Sequence, residues 1–156
     1  MNESKKNLSS DKALNADGVS NIDGCDAAVL RQATDGEAES VELLRTCQSW
    51  NEVDLPDYPL GKPELVAVKY VFPAGKKLGW HHHPVMNYGI LVQGELTIIG
   101  QDGKEKVVHE GEAVVEMVNT IHHGENRGDK DVILYMFYLS QEGKELAVQH
   151  PEIPLE

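Results

Sequence analysis

The 156-residue sequence predicts an all-β fold, a sandwich or a barrel, and three observations carry that prediction. Short runs rich in Val, Ile, Leu, Tyr and Phe recur along the chain. Turn residues, chiefly Gly beside Asp, Glu or Pro, divide them at short intervals. Between them, no stretch keeps its apolar residues at helical spacing over a useful length.

Taken in order, residues 1–38 are rich in Asn, Asp, Ser, Gly and Ala, with isolated aliphatics. Such a composition buries little apolar surface, so a disordered or loosely docked arm is expected ahead of a folded domain at 39–156. Inside the arm, residues 25–31 (CDAAVLR) read as a turn of helix or an edge strand. Residues 40–47 (SVELLRTC) read as the first strand, and a Pro-rich link at 55–63 leads into a second at 64–72 (ELVAVKYVF). Pro73, Ala74 and Gly75 end it. Residues 88–99 (YGILVQGELTII) form the next strand, with Gly94 as its bend or bulge. Gln101, Asp102 and Gly103 make a hairpin turn, and residues 105–109 return. A second turn at Glu110 and Gly111 precedes a strand at 113–118, and residues 132–139 (VILYMFYL) form a strongly apolar last strand.

Hydrophobic residues make up 40% of the chain and charged residues 26%, the balance of an ordinary globular domain. Twenty-six acidic residues against 14 basic ones give a net charge of −12, which repels phosphate backbones and anionic lipid. Nucleic acid and membrane are therefore excluded as expected partners. No run approaches the roughly 18 apolar residues that cross a bilayer, and no apolar stretch follows the N-terminal lysines as a signal peptide would require. A cytoplasmic location is expected. Cys25 and Cys47 lie far apart with no CxxC pairing and read as reduced, unligated thiols.

Five of the seven histidines fall in two windows, Trp80-His81-His82-His83-Pro84 and Ile121-His122-His123-Gly124. On a strand, side chains at i and i+2 share a face, so His81 and His83 converge while His82 faces away. A third imidazole from a neighbouring strand would complete a three-ligand site with open positions for water or substrate. An H-x-H pair in a β-protein is common without a metal, so its neighbours decide.

Those neighbours resemble the cupin family. Its first motif is G-x5-H-x-H, then three or four residues, a Glu, six residues and a Gly; Gly75, His81, His83 and Gly94 stand at that spacing. Its second is G-x5-P-x-G-x2-H-x3-N; Gly111, His122 and Asn126 keep the spacing, while Met117 and Asn119 replace the Pro and inner Gly. The resemblance spans roughly residues 60–140. It implies a double-stranded β-helix (a jelly-roll-like barrel), a homodimer, and one divalent transition metal held by His81, His83 and His122. Fe, Zn, Ni, Mn and Cu are all compatible with that ligand set.

One departure matters. The family's fourth ligand is a carboxylate, and its place is taken by Asn87. An amide oxygen is a neutral, weaker donor, which leaves three roles open for Asn87: loose coordination, a hydrogen bond on the substrate side of the pocket, or a turn position. Without a carboxylate the site would keep the ion's full charge, acidify bound water and favour an anionic substrate. In that respect the site looks more like three-histidine dioxygenases than like isomerases and oxalate enzymes with three histidines and one carboxylate. His123, displaced by the motif spacing, should point outward, and His82, His109 and His150 read as surface residues.

Glu116, if it faces the cavity, is the candidate catalytic group: a general base near the metal, or a hydrogen-bond partner for a ligand histidine. Facing outward, it is a solvated surface residue. Tyr88, Tyr135, Tyr138 and Asn87 are candidates for lining the pocket, with Trp80 and Phe137 at its mouth. Asn126 is expected to fix a turn. Three functions follow: a metal-dependent enzyme of the oxygenase or isomerase/lyase type acting on a small anionic molecule; a binding protein for a sugar or organic acid; and a structural dimer with a vestigial cavity.

Overall fold

The computed structural model describes residue 38 and residues 40–155 of the chain. The arm expected over residues 1–38, with its turn or edge strand at 25–31, lies outside the described residues except for Ala38. Among the described residues every regular element is a strand: β1 (Pro63–Phe72), β2 (His81–His82), β3 (Met86–Gln93), β4 (Glu95–Gly100), β5 (Glu105–His109), β6 (Ala113–Val115), β7 (His122–Glu125), β8 (Val132–Gln141) and β9 (Val148–Gln149). They form two sheets, one ordered β1-β8-β3-β6 and the other β5-β4-β7-β2-β9, with every named pair antiparallel. This is the double-stranded β-helix that the cupin resemblance implies.

Alternation along the strands decides what lies between the sheets. In β8 the side chains of Val132, Leu134, Met136 and Tyr138 are buried, while Tyr135 stands exposed on the opposite face. From the other sheet, Leu96 and Ile98 of β4 and Val108 of β5 join the same core. Each large apolar side chain withdrawn from water in this way contributes about 1.5–3 kcal/mol. The chain passes from the first sheet to the second at Gly94, between β3 and β4, where φ is +84°. A side chain there would also meet the Asp131 carbonyl oxygen at 3.1 Å, so position 94 needs a glycine twice over.

Two strand expectations change. Residues 40–47 form no strand. Val41, Leu43 and Leu44 are exposed, and without a neighbouring strand their β-propensity has nothing to pair with. Among the described residues, Trp50 engages the barrel: its amide donates to the Val115 carbonyl (3.0 Å) and its ring packs on the core. The strand expected at 113–118 ends at Val115, short of Asn119, where φ turns positive at 53°. Among the described residues no helix is long and apolar enough to cross a membrane.

Candidate metal centre

Three short polar segments bring the histidines together. His81 of β2 lies opposite His122 of β7 in the antiparallel register, and His83, one step beyond β2, bridges to Val118. The i, i+2 spacing places His81 and His83 inward, and all three imidazoles are buried. Their ligand atoms lie within 4.8 Å of one another.

Each ring is fixed by a backbone carbonyl. Nδ1–H of His81 donates to Gly79 O, that of His83 to Leu146 O and that of His122 to Thr120 O, each at 2.8 Å. A carbonyl only accepts, so the proton sits on Nδ1 and the Nε2 lone pair is left for a Lewis acid. The Nε2 atoms of His83 and His122 are buried and have no hydrogen-bond partner among the described residues. Buried orphaned lone pairs are costly, and a metal ion is the partner they fit. These three residues could hold a divalent ion. Burial pushes the His81 pKa down to about 4, so that ring is neutral at physiological pH.

A carboxylate stands beside them. Glu116 is buried, with Oε2 at 2.9 Å from His83 Nε2 and Oε1 at 3.7 Å from His122 Nε2. The His122 contact is too long for a hydrogen bond, and the His83 contact, though short, does not make one. In the metal-free centre burial works to raise the Glu116 pKa, but His122 and His83, when protonated on both ring nitrogens, outweigh it and hold the group well below the usual carboxylate range. At His122 burial works downward, and the Glu116 carboxylate outweighs it in turn, raising the pKa. The sequence leaves open which way Glu116 faces; it faces inward.

The histidines border a cavity of about 150 Å³ that His81, His83 and Glu116 line directly, with Tyr70, Tyr138 and Gln149 as its other polar groups. His122, fully buried, stands behind this wall. The hydroxyls of Tyr70 and Tyr138 bond each other at 2.9 Å, and burial, followed by that bond, pushes the Tyr138 pKa far up. Tyr138 therefore stays a neutral phenol. Phe72 and Met136 supply much of the apolar wall.

Other expected pocket residues lie elsewhere. Tyr88 and Tyr135 stand exposed on the outer face of the four-stranded sheet, where the Tyr88 ring packs on Phe137 at 5.4 Å. Phe137 is thus also outside. Trp80 turns away from the cavity; its indole N–H donates to Pro154 O (3.1 Å) and its ring covers His123 at 4.2 Å. His123 points away from the centre but is buried beneath that indole. His82 and His150 are half-buried and bonded to each other at 2.8 Å, whereas His109 is exposed. Asn87 is fully buried, does not line the cavity, and its backbone oxygen accepts from the Glu116 amide at 3.2 Å. Asn126 fixes a turn, its amide donating to Phe72 O (2.9 Å) and Lys130 O (2.7 Å). Tyr70 and Gln149 escape a motif search; alternation along β1, which turns Tyr70 and Phe72 inward, is the signal that finds the first.

Residues 68–138 match the family model for the cupin domain. A search of curated proteins finds no match. Among solved structures, the chain is similar to the DMSP lyase DddQ from Ruegeria pomeroyi DSS-3, at 18% identity and a TM-score of 0.47, covering 55% of this chain and 42% of that one. It is similar to an uncharacterised protein with a double-stranded β-helix domain from Klebsiella pneumoniae subsp. pneumoniae MGH 78578, at 16% identity, a TM-score of 0.48, and coverage of 60% and 88%. The oxalate decarboxylase of Lactobacillus farciminis, in its formate complex, matches at 17% identity and a TM-score of 0.48, over 55% of this chain and 26% of that one. The chain thus spans less than half the length of the lyase.

Proposed function

Because this chain belongs to the cupin superfamily, its cupin domain matched over residues 68–138, we propose that it is a metal-dependent enzyme, of the oxygenase or the isomerase/lyase type, acting on a small anionic molecule. One observation carries the reading: three buried imidazoles, each with its Nδ1 proton engaged by a carbonyl, turn their remaining nitrogens toward one space at the wall of a cavity. A divalent transition ion bound there would supply Lewis acidity toward a substrate oxygen, or reactivity toward dioxygen if the ion is redox-active.

The chain's own residues do the rest. The Gly79, Leu146 and Thr120 carbonyls hold the rings in one tautomer and orientation. Phe72 and Met136 keep the wall dry, which strengthens every polar contact inside. The hydroxyls of Tyr70 and Tyr138 and the amide of Gln149 are placed to bind a polar substrate atom. A cavity of about 150 Å³ suits a small substrate. One carboxylate beside a divalent ion still leaves net positive charge, so an anion is favoured, though less than a site without any carboxylate would favour it.

A second reading, a binding protein for a sugar fragment or organic acid, draws on the same polar trio and the apolar wall. Metal analysis of protein purified without added metal, beside a His81→Ala/His83→Ala variant, tests the proposal. Near-stoichiometric metal in the wild type alone supports it, and equal trace content in both sinks it. Oxygen uptake with the iron form separates oxygenase from isomerase or binder.

We also propose a homodimer in the cytoplasm. The outer face of the four-stranded sheet exposes Leu65, Val71, Tyr88, Val92 and Tyr135, an apolar surface on which a second copy would pack.

A further inference from the structure

We propose that Glu116 is the fourth protein ligand of the ion held by His81, His83 and His122, supplying from the chain beyond β6 the carboxylate that position 87 on β3 lacks. The assignment rests on the metal centre proposed above and goes further, since it fixes the charge and coordination of the site. It replaces the general-base role considered from sequence.

Three observations support it. The first is spacing. Two donors about 2.1 Å from one ion stand about 3.0 Å apart at a right angle and about 3.4 Å apart at the tetrahedral angle. The Glu116 oxygens lie 2.9 Å and 3.7 Å from the His83 and His122 Nε2 atoms, which brackets those values; joining His81 as well takes a side-chain shift, since Glu116 stands outside the 4.8 Å group that the three histidines form. The second is direction. A carboxylate serving only as a hydrogen-bond partner would lie along a ring N–H, yet His83 Nε2, 2.9 Å from Glu116, makes no hydrogen bond, and its Nδ1 is already engaged with a carbonyl. Glu116 therefore sits beside that nitrogen, as a co-ligand does.

The third is charge. Three neutral imidazoles leave a buried divalent ion wholly uncompensated, and burying such charge unpaired is expensive. Among the described residues, Glu116 is the one acidic side chain lining the cavity. It also lies one step across the sheet from the vacated motif position, since its amide donates to the Asn87 carbonyl at 3.2 Å. A side chain from the strand next to β3 can thus reach the end of the barrel that a residue at 87 would serve.

Titration of chelator-stripped protein with Co(II) alone tests this, comparing wild type with Glu116→Gln and Glu116→Asp. The wild type is expected to bind one Co(II) with a visible ligand-field band. Glu116→Gln should weaken binding by more than about 100-fold, beyond what loss of a merely orienting partner costs, and should change the band. Glu116→Asp should recover part of the affinity. Unchanged affinity and band in Glu116→Gln overturn the assignment while leaving the three-histidine centre intact; failure of wild type to bind Co(II) overturns both. Should Glu116→Gln not fold, the infrared difference between Zn(II)-loaded and metal-free wild type decides. Shifted carboxylate stretches support coordination, and their absence refutes it.

Discussion

Glu125→Gln is the substitution whose cost the structure defines best, because one buried carboxylate ties together the segments that carry the site. Glu125 ends β7, the strand of His122, and is 5% exposed. It accepts from Arg127 Nε at 2.8 Å and lies 3.0 Å from Lys77 Nζ, on the segment leading to His81. Arg127 in turn forks onto Glu105 of β5 at 2.8 and 2.9 Å. Breaking a buried pair costs about 3–5 kcal/mol. Here both cations are nearly half exposed and can regain water, and Arg127 keeps Glu105, so the expected loss at pH 7 is about 2 kcal/mol. For a chain of this size that lowers Tm by about 4–8 °C.

The pH dependence gives a second handle. Burial works to raise the Glu125 pKa, but Arg127 and Lys77 outweigh it and lower it in the folded state. Its contribution is therefore fully present above the unfolded carboxylate pKa of about 4.3 and is lost as pH falls through the lower folded value. Urea melts of wild type and variant should differ most near pH 7 and converge in acid. A gap below about 0.5 kcal/mol at pH 7, or one that persists undiminished in acid, refutes the reasoning.

Gly89→Ala drives a Cβ into Met136 Sδ and places it 2.7 Å from the Tyr135 carbonyl, so it should destabilise by about 1–3 kcal/mol or more in a thermal melt. Tyr138→Phe removes the 2.9 Å bond to Tyr70 and should cost about 0.5–1.5 kcal/mol, with Co(II) affinity unchanged, which the same titration checks. Val71→Lys with Tyr135→Lys should convert a dimer to monomer in sedimentation without lowering Tm; an unchanged sedimentation coefficient removes this face from the interface.

Long apolar alternation made much of the barrel legible in advance. Residues 132–139 and 64–72 announce β8 and β1 because each presents a run of large apolar residues, and Gly94 marks where one run divides into β3 and β4. β2, β7 and β9 stay hidden, since His-His, His-His-Gly-Glu and Val-Gln owe their conformation to neighbouring strands and carry no apolar pattern. The i, i+2 rule and the motif spacing nonetheless mark the histidines. Aromatic positions fared worse because a one-residue step changes the face: Tyr138 reaches the cavity, while Tyr135, an odd number of residues away, cannot. Nothing in the sequence shows that the carboxylate missing at Asn87 has a counterpart at Glu116, because that relation exists only across the gap from β3 to the end of β6.

Anomalous scattering from crystals grown with Co(II) tests the metal centre most directly. One peak at about 2.1 Å from Nε2 of His81, His83 and His122 is the predicted result. Cobalt found instead at the outer His82–His150 pair, with the inner nitrogens unligated, would contradict it.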